Sequence, residues 1–154
     1  MRASKPRIMY VEDDADTREL VLYVLAQEGY EVVIAENSEQ ATHLAQTASV
    51  DLYLIDNWMP GGSGIELCGW LRKFDNDTPI LFFSGAAYEQ DKRAALAAGA
   101  QGYLTKPADN EKLIEEVSRL ISVARRFRPV VNLAQVGEVD ISVRKKVLRQ
   151  MLYG

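Results

Sequence analysis

The sequence is poor in cysteine, in histidine and in long apolar runs. Its single cysteine, Cys68, cannot close an internal disulfide, which favours a reducing compartment, and we therefore expect a cytoplasmic protein. No apolar run approaches the roughly 20 residues of a membrane-spanning helix, and the basic start leads into too short an apolar stretch for a signal peptide. The only histidine, His43, is far along the chain from any candidate ligand, which predicts a surface or packing role.

The chain also lacks a large excess of charge of either sign, because its formal net charge is only −4. Nothing global therefore points to nucleic acid as a partner. Residues 125–154 nevertheless hold seven basic side chains against two acidic ones, while the remainder is acidic. This asymmetry predicts a main domain over 1–126 and a basic C-terminal extension over 127–154, made of a linker and a short helix.

The extension leaves several interpretations open. Its helix either packs on its own domain or serves as a docking element or dimer contact. Roughly 25 residues cannot build an ordinary helix-turn-helix output domain, which makes a nucleic-acid role unlikely. The segment could also be the stub of a longer protein.

Five short apolar runs recur along the chain, and most are continuously apolar rather than alternating. That pattern is typical of strands buried on both faces of a parallel sheet. Helical segments lie between them, so the order is (βα)₅, which predicts a doubly wound α/β sheet with helices on both faces. The runs are Ile8–Val11, Val32–Ala35, Leu52–Ile55, Ile80–Phe83 and Tyr103–Leu104.

Capping residues predict where the helices begin and end. Asp16 followed by Glu19 has the pattern of a capping box, and it predicts a first helix that ends at Gly29. Asp14, just before it, is interpreted as a solvated loop charge. The other predicted helices begin at Asn37, after Gly64, near Tyr88 with a stop at Gly99, and after Asp109.

Polar residues follow the predicted strands, at the edge where open α/β sheets place their sites. Three carboxylates, a hydroxyl and a lysine would meet there, and such carboxylates repel one another unless a cation lies among them. Oxygen-only ligands in an open site suit Mg²⁺, and a carboxylate beside Mg²⁺ can attack phosphorus. The sequences after the strands are Glu12-Asp13-Asp14, Glu36-Asn37, Asp56-Asn57-Trp58, Ser84-Gly85-Ala86 and Thr105-Lys106-Pro107.

These residues match a known family. From about Arg7 to Arg125 the chain resembles the receiver domain of bacterial two-component response regulators, whose simplest example is the chemotaxis response regulator. The resemblance implies a flavodoxin-like fold with strand order 2-1-3-4-5. It rests on Glu12-Asp13, Asp56, Met59-Pro60, Gly64, Ser84-Gly85 and Lys106-Pro107, each in the order and at the strand end where the family has it.

The resemblance also implies a role for each site residue. Asp56 would be the phosphoacceptor. Asp13 and Asp56 would contact Mg²⁺ directly, together with the main-chain carbonyl of Trp58. Glu12 would act on the ion through a bound water. No other cofactor is expected, and the domain would not be an enzyme in the usual sense.

Three further residues would transfer and report the signal. Ser84 and Lys106 would bind the phosphoryl group, and Tyr103 would swing inward as Ser84 moves. A sensor histidine kinase or a histidine phosphotransfer protein would donate the phosphoryl group. The face of helix 4, strand 5 and helix 5 would then bind an unknown output protein or a second copy of the chain. A cis Lys106–Pro107 bond is expected.

Two positions depart from the commonest pattern of the family. Glu12 replaces the more usual aspartate and keeps its charge. Trp58 is bulky and Ala86 is small, at two positions that tune phosphate lifetime in the family. We expect Trp58 to shield an aspartyl phosphate partly from water.

Two rival functions remain open. A haloacid-dehalogenase-like phosphatase also uses an aspartyl phosphate, but it has a second acid two residues after the nucleophile, where this chain has Trp58. The chain could also be the receiver portion of a transcriptional regulator.

Overall fold

The structure is a computed structural model that describes residues 4–127. Nearly all of the predicted extension over 127–154 therefore lies outside the described residues. The strands are β1 (Arg7–Val11), β2 (Glu31–Ala35), β3 (Leu52–Ile55), β4 (Ile80–Ser84) and β5 (Gly102–Thr105). The helices are α1 (Ala15–Gln27), α2 (Ser38–Thr47), α3 (Gly64–Arg72), α4 (Glu89–Ala98) and α5 (Asn110–Arg126).

The five strands form one parallel sheet in the order β2-β1-β3-β4-β5. The predicted (βα)₅ fold and strand order are thereby confirmed. Every side chain of β3 and β4 is buried, as the continuously apolar runs predict. The edge strands β2 and β5 are only partly buried, because each has a neighbouring strand on one side alone.

Alternate side chains of the central strands enter two separate cores. Tyr53 and Ile55 pack with buried residues of α2, α3 and α4 on one face of the sheet. Leu52 and Leu54 pack with buried residues of α1 and α5 on the other. This two-sided burial holds all five strand ends in a single row, where the predicted site residues lie.

The first helix begins two residues earlier than the sequence predicts. Its cap is Asp14, whose side chain accepts a hydrogen bond from the Thr17 main-chain N–H at 2.8 Å. Asp16 lies inside the first turn instead, so the predicted capping box is wrong, and Asp14 is a helix cap rather than a plain loop charge. Asp14 caps the helix because its backbone is extended, as a cap residue requires.

Helix α3 begins at Gly64 rather than after it, because the Ser63 side chain caps it, and the other predicted helix limits lie close to those in the structure. Asn37 and Asp109 each accept a hydrogen bond from the main-chain N–H three residues later. Helix α4 stops at Gly99, whose φ of 113° is readily available only to glycine. The Lys106–Pro107 bond is cis, as expected.

Within residues 4–127 no helix is both long enough and apolar enough to cross a bilayer. His43 is exposed on α2, and Cys68 is buried with a free thiol in α3. Both side chains therefore lie where the sequence predicts, His43 at the surface and Cys68 in the core.

Candidate functional site

Main-chain hydrogen bonds extend the sheet past the strand ends and fix the start of each loop. The Glu12 N–H donates to the Ala35 carbonyl at 3.0 Å, and the Asp56 N–H donates to the Val11 carbonyl at 3.0 Å. The Lys106 N–H donates to the Ser84 carbonyl at 2.9 Å. The residues that carry the chemistry are thus anchored directly to the rigid sheet.

Three carboxylates meet at this edge. Glu12, Asp13 and Asp56 each offer one oxygen, and these oxygens all lie within 4.8 Å of one another. Glu12 and Asp56 are buried, whereas Asp13 is exposed. Three acids this close, two of them buried, form an unfavourable arrangement that a divalent cation would relieve.

Lys106 reaches the same cluster from the position directly after β5. Its Nζ lies 2.8 Å from Glu12 Oε1 and 3.7 Å from Asp56 Oδ2. The ammonium also lies 5.3 Å from the centre of the Phe83 ring, close enough for a cation–π contact. Lys106 thereby offsets part of the negative charge while keeping its amine beside the Asp56 carboxylate.

Glu12 carries two marks of a site for a cation. Its Oε2 is buried and has no hydrogen-bond partner, although Oε1 is paired with Lys106. Its pKa is raised to about 7, first because burial disfavours the charged form and then because the Asp56 carboxyl lies beside it, with Lys106 acting in the opposite direction. The donor set of Glu12, Asp13 and Asp56 fits Mg²⁺, since all three supply oxygen.

The raised pKa predicts a pH-dependent stability in the absence of divalent ions. Glu12 has an ordinary pKa of 4.5 when unfolded and about 7 when folded, so the folded state holds its proton more firmly. The resulting stabilisation is complete below about pH 4.5 and is lost as pH rises through about 7. Its size is on the order of 1–3 kcal/mol.

Urea unfolding in chelator, between pH 5 and pH 8, measures this effect. Glu12→Gln keeps the shape of the side chain and removes its titration, so the difference in stability between the two proteins should change across that range. A difference that stays constant with pH contradicts the assignment to Glu12.

Ser84 and Tyr103 meet at the start of the loop after β4. Ser84 is fully buried, and its Oγ accepts a hydrogen bond from the Ala86 N–H at 3.3 Å. The Tyr103 hydroxyl donates to the Ala86 carbonyl, and its ring stacks on Phe82 with centroids 5.7 Å apart. The serine and the tyrosine thus share one residue of the loop as a partner.

The pKa of Tyr103 reports the same neighbourhood. Burial raises it most, while the neighbouring Ser84 and Asn57 side chains act in the opposite direction. A shift of Ser84 would therefore change the partners available to the tyrosine hydroxyl. This arrangement suits a switch, although the role itself remains a prediction.

Trp58 lies next to the acid cluster and is largely exposed. Its main-chain nitrogen is 3.4 Å from Asp56 Oδ1, and the residue is 65% exposed. The indole lines an open cleft with Met59, Pro60 and Glu66. The ring therefore stands at the rim of the site, and the predicted shielding of Asp56 remains a prediction.

Sequence reasoning missed two polar residues beside the predicted ones. Asn57 is buried, and its Oδ1 has no hydrogen-bond partner. Arg18 extends from α1 to the main chain of the acid pair. A polar amide at the end of an apolar strand could have signalled Asn57, but no pattern in the sequence shows where an arginine one turn into a helix will reach.

Comparison with known proteins identifies the family to which this site geometry is related. A family described as the response regulator receiver domain matches residues 8–118. Among curated proteins, the chain is 36% identical over 126 residues to the phosphate regulon transcriptional regulatory protein PhoB of Escherichia coli (strain K12), covering 80% of this chain and 54% of PhoB. The chain spans about half the length of the curated relatives it matches first.

Solved structures of receiver domains also match this chain. A CheY-like receiver domain protein from Methanospirillum hungatei JF-1 matches with a TM-score of 0.77 and 27% identity, over 80% of this chain and 98% of that one. TrrA from Thermotoga maritima, solved in complex with Mg²⁺–BeF, matches with a TM-score of 0.70 and 34% identity, over 75% and 98% of the two chains.

Proposed function

Because the chain belongs to the response regulator receiver family, we propose that its Asp56 carboxylate accepts the phosphoryl group by which such domains carry a signal. Receiver domains take this group from histidine kinases, and we propose a sensor kinase or a phosphotransfer protein as the donor here. The domain would be a phosphoryl acceptor rather than an enzyme in the usual sense, and we expect it in the cytoplasm.

One observation carries the proposal. Asp56 lies within 4.8 Å of the carboxylate oxygens of Glu12 and Asp13, and 3.7 Å from the Lys106 amine. Acids alone would suit a cation, and a lysine alone would make an ordinary ion pair. Their combination around one buried carboxylate suits the transfer of a phosphoryl group, which depends on positioning and on opposing charge.

In the proposed transfer, an Asp56 oxygen attacks phosphorus while the bond between phosphorus and the donor nitrogen breaks. The electron pair of that bond leaves with the donor imidazole, which then takes up a proton. Lys106 is already near Asp56 and would pair with the new phosphoryl oxygens, and the Ser84 hydroxyl would donate to one of them. Asp56, Ser84 and Lys106 therefore form the proposed catalytic set.

Receiver domains bind Mg²⁺ through acidic residues, and the donor set of this chain fits that ion. We propose that Asp13, Asp56 and the main-chain carbonyl of Trp58 hold it, with Glu12 acting through water. When bound, Mg²⁺ would offset the negative charge that accumulates on the phosphoryl oxygens. The related TrrA was solved with Mg²⁺–BeF, which supports this assignment.

Phosphorylation of the purified chain by a small donor tests the proposal. Incubation with Mg²⁺ and acetyl phosphate should add one phosphoryl group to the intact mass, and chelation of Mg²⁺ should prevent the addition. Asp56→Asn should remain unmodified, because an amide cannot serve as the nucleophile. If Asp56→Asn gains the same phosphoryl mass as the chain without the substitution, Asp56 is not the acceptor.

The output is proposed to follow from Ser84 and Tyr103. A phosphoryl group on Asp56 would attract the Ser84 hydroxyl away from the Ala86 N–H, and Tyr103 would adjust with it. Because Tyr103 lies on β5, this change would alter the face of α4, β5 and α5. Phosphorylation would thereby shift the population of two conformations, and the favoured one would bind the output partner or a second copy of the chain.

Trp58 provides a prediction about signal lifetime. Its side chain stands beside Asp56 at the rim of the site, so we expect it to slow the approach of water to an aspartyl phosphate. Trp58→Asn should therefore lose its phosphoryl group several-fold faster, as measured by the decay of the phosphorylated mass after the donor is removed. An unchanged decay rate would show that the exposed indole gives no protection.

A second candidate function is supported by the names of the relatives. PhoB is a transcriptional regulatory protein roughly twice as long as the matched region, so this chain could serve as the receiver of such a regulator. A titration with duplex DNA tests whether the basic residues after Arg125 bind nucleic acid. Binding that weakens steeply with salt supports DNA binding by these basic residues, and no binding at low salt contradicts it.

A further inference from the structure

The side chain of Arg18 contacts the main chain of the loop after β1, which carries the Glu12 and Asp13 carboxylates. Its Nη1 donates to the Glu12 carbonyl at 3.0 Å and lies 3.3 Å from the Asp13 carbonyl. Its Nη2 lies 3.4 Å from Glu36 Oε1, at the end of β2. One guanidinium thus joins the loop after β1, the helix α1 and the end of the neighbouring strand.

The loop is short, and its middle residue, Asp13, is exposed. Between the end of β1 at Val11 and the start of α1 at Ala15 there are only three residues. The Glu12 N–H is bonded to the sheet, but within residues 4–127 the Asp13 side chain makes no hydrogen bond or ion pair. The direction of the exposed Asp13 carboxylate therefore depends on its main chain, which Arg18 fixes through two successive carbonyls.

We infer that Arg18 is a positioning residue for the divalent cation, because it holds the main chain of Glu12 and Asp13 so that both carboxylates face one point. The inference rests on the proposed function. Arg18 does not touch the ion, and its own positive charge is balanced by Glu36, so its repulsion of a cation is largely offset. A planar fork with several donors is required, which a lysine cannot supply.

Calorimetric titration with MgCl₂ alone tests this role. Arg18→Lys keeps the charge but loses the fork, and we expect its dissociation constant for Mg²⁺ to rise about tenfold, as for other groups that orient metal ligands. Glu36→Gln removes only the outer anchor and should give a smaller rise. The matched control is Arg7→Lys, because Arg7 and Glu31 form a similar ion pair between β1 and β2 at the other end of the strands.

Phosphorylation by acetyl phosphate separates positioning from general damage to the fold. The Mg²⁺ concentration that gives half the maximal rate should rise in Arg18→Lys by the same factor as the dissociation constant. The rate at saturating Mg²⁺ should stay close to that of the chain without the substitution, since the bound ion itself restores the orientation of the carboxylates. A merely structural arginine would lower resistance to urea and leave both Mg²⁺ measurements unchanged.

Three results would overturn the inference. Unchanged Mg²⁺ affinity in Arg18→Lys and Glu36→Gln shows that the loop needs no support. Tighter binding in either variant shows that Arg18 does not hold the two carboxylates in the orientation that the ion requires. A comparable loss in Arg7→Lys shows a general effect of ion pairs between these strands. If the unmodified chain neither binds Mg²⁺ nor accepts a phosphoryl group, the proposed function fails first and this inference fails with it.

Discussion

Asp13→Asn should weaken Mg²⁺ binding by about 10²-fold or more, since loss of a direct ligand costs at least as much as loss of a supporting group. Asp13 is the exposed member of the three-acid cluster, so it can face an incoming ion without rearrangement. An amide keeps one oxygen but removes the charge that draws a hard cation out of water. Phosphorylation by acetyl phosphate should fall with it.

The neighbouring acid supplies a matched control for this prediction. Asp14→Asn removes the same charge one residue further along, and asparagine caps a helix as well as aspartate does. Asp14 lies outside the cluster and bonds to Thr17 instead. Calorimetry should therefore give Asp14→Asn nearly unchanged Mg²⁺ affinity. Equal losses in the two variants would show that net charge near the site, rather than ligation by Asp13, determines binding.

Gly64→Ala should destabilise the fold by roughly 2–3 kcal/mol, because a side chain at this position meets main chain that cannot move aside. A Cβ there would lie 2.5 Å from the Asp56 carbonyl oxygen and 2.9 Å from the Asn57 Cα. The Gly64 N–H also donates to the Asn57 carbonyl at 2.9 Å. Any displacement that relieves the clash moves the proposed phosphoacceptor, so phosphorylation should fall as well.

Gly69 tests the same substitution within the same helix. A Cβ at Gly69 meets nothing within 4 Å, so Gly69→Ala should stabilise α3 by about 0.5–1 kcal/mol through helix propensity. The two variants should therefore shift the urea midpoint in opposite directions. If Gly64→Ala is as stable as the unmodified chain, the close packing of α3 against the loop after β3 is wrong.

The sheet could be predicted from the sequence because its strands are short, apolar and separated by helical segments. Leu52–Ile55 coincides with β3 as the structure has it. The site residues could be located with it, since the carboxyl ends of parallel strands meet at one edge. Only the resemblance to a family gave Tyr103 its proposed role.

Details that depend on tertiary contacts could not be predicted. Asp14 and Asp16 are both plausible caps, and the path of the chain out of β1 decides between them. The burial of Asn57 follows from how closely α3 approaches the loop, which no local pattern encodes. Arg18 reaches the carbonyls of Glu12 and Asp13 only because α1 turns back over the end of β1.

The central claim is that the Asp56 side chain itself carries the phosphoryl group. After phosphorylation with Mg²⁺ and acetyl phosphate, borohydride reduces an aspartyl phosphate to homoserine, whose position tandem mass spectrometry of peptides reports. The account predicts homoserine at position 56 and nowhere else. Homoserine at position 13 or 14, or a phosphorylated chain in which position 56 remains aspartate, would contradict it.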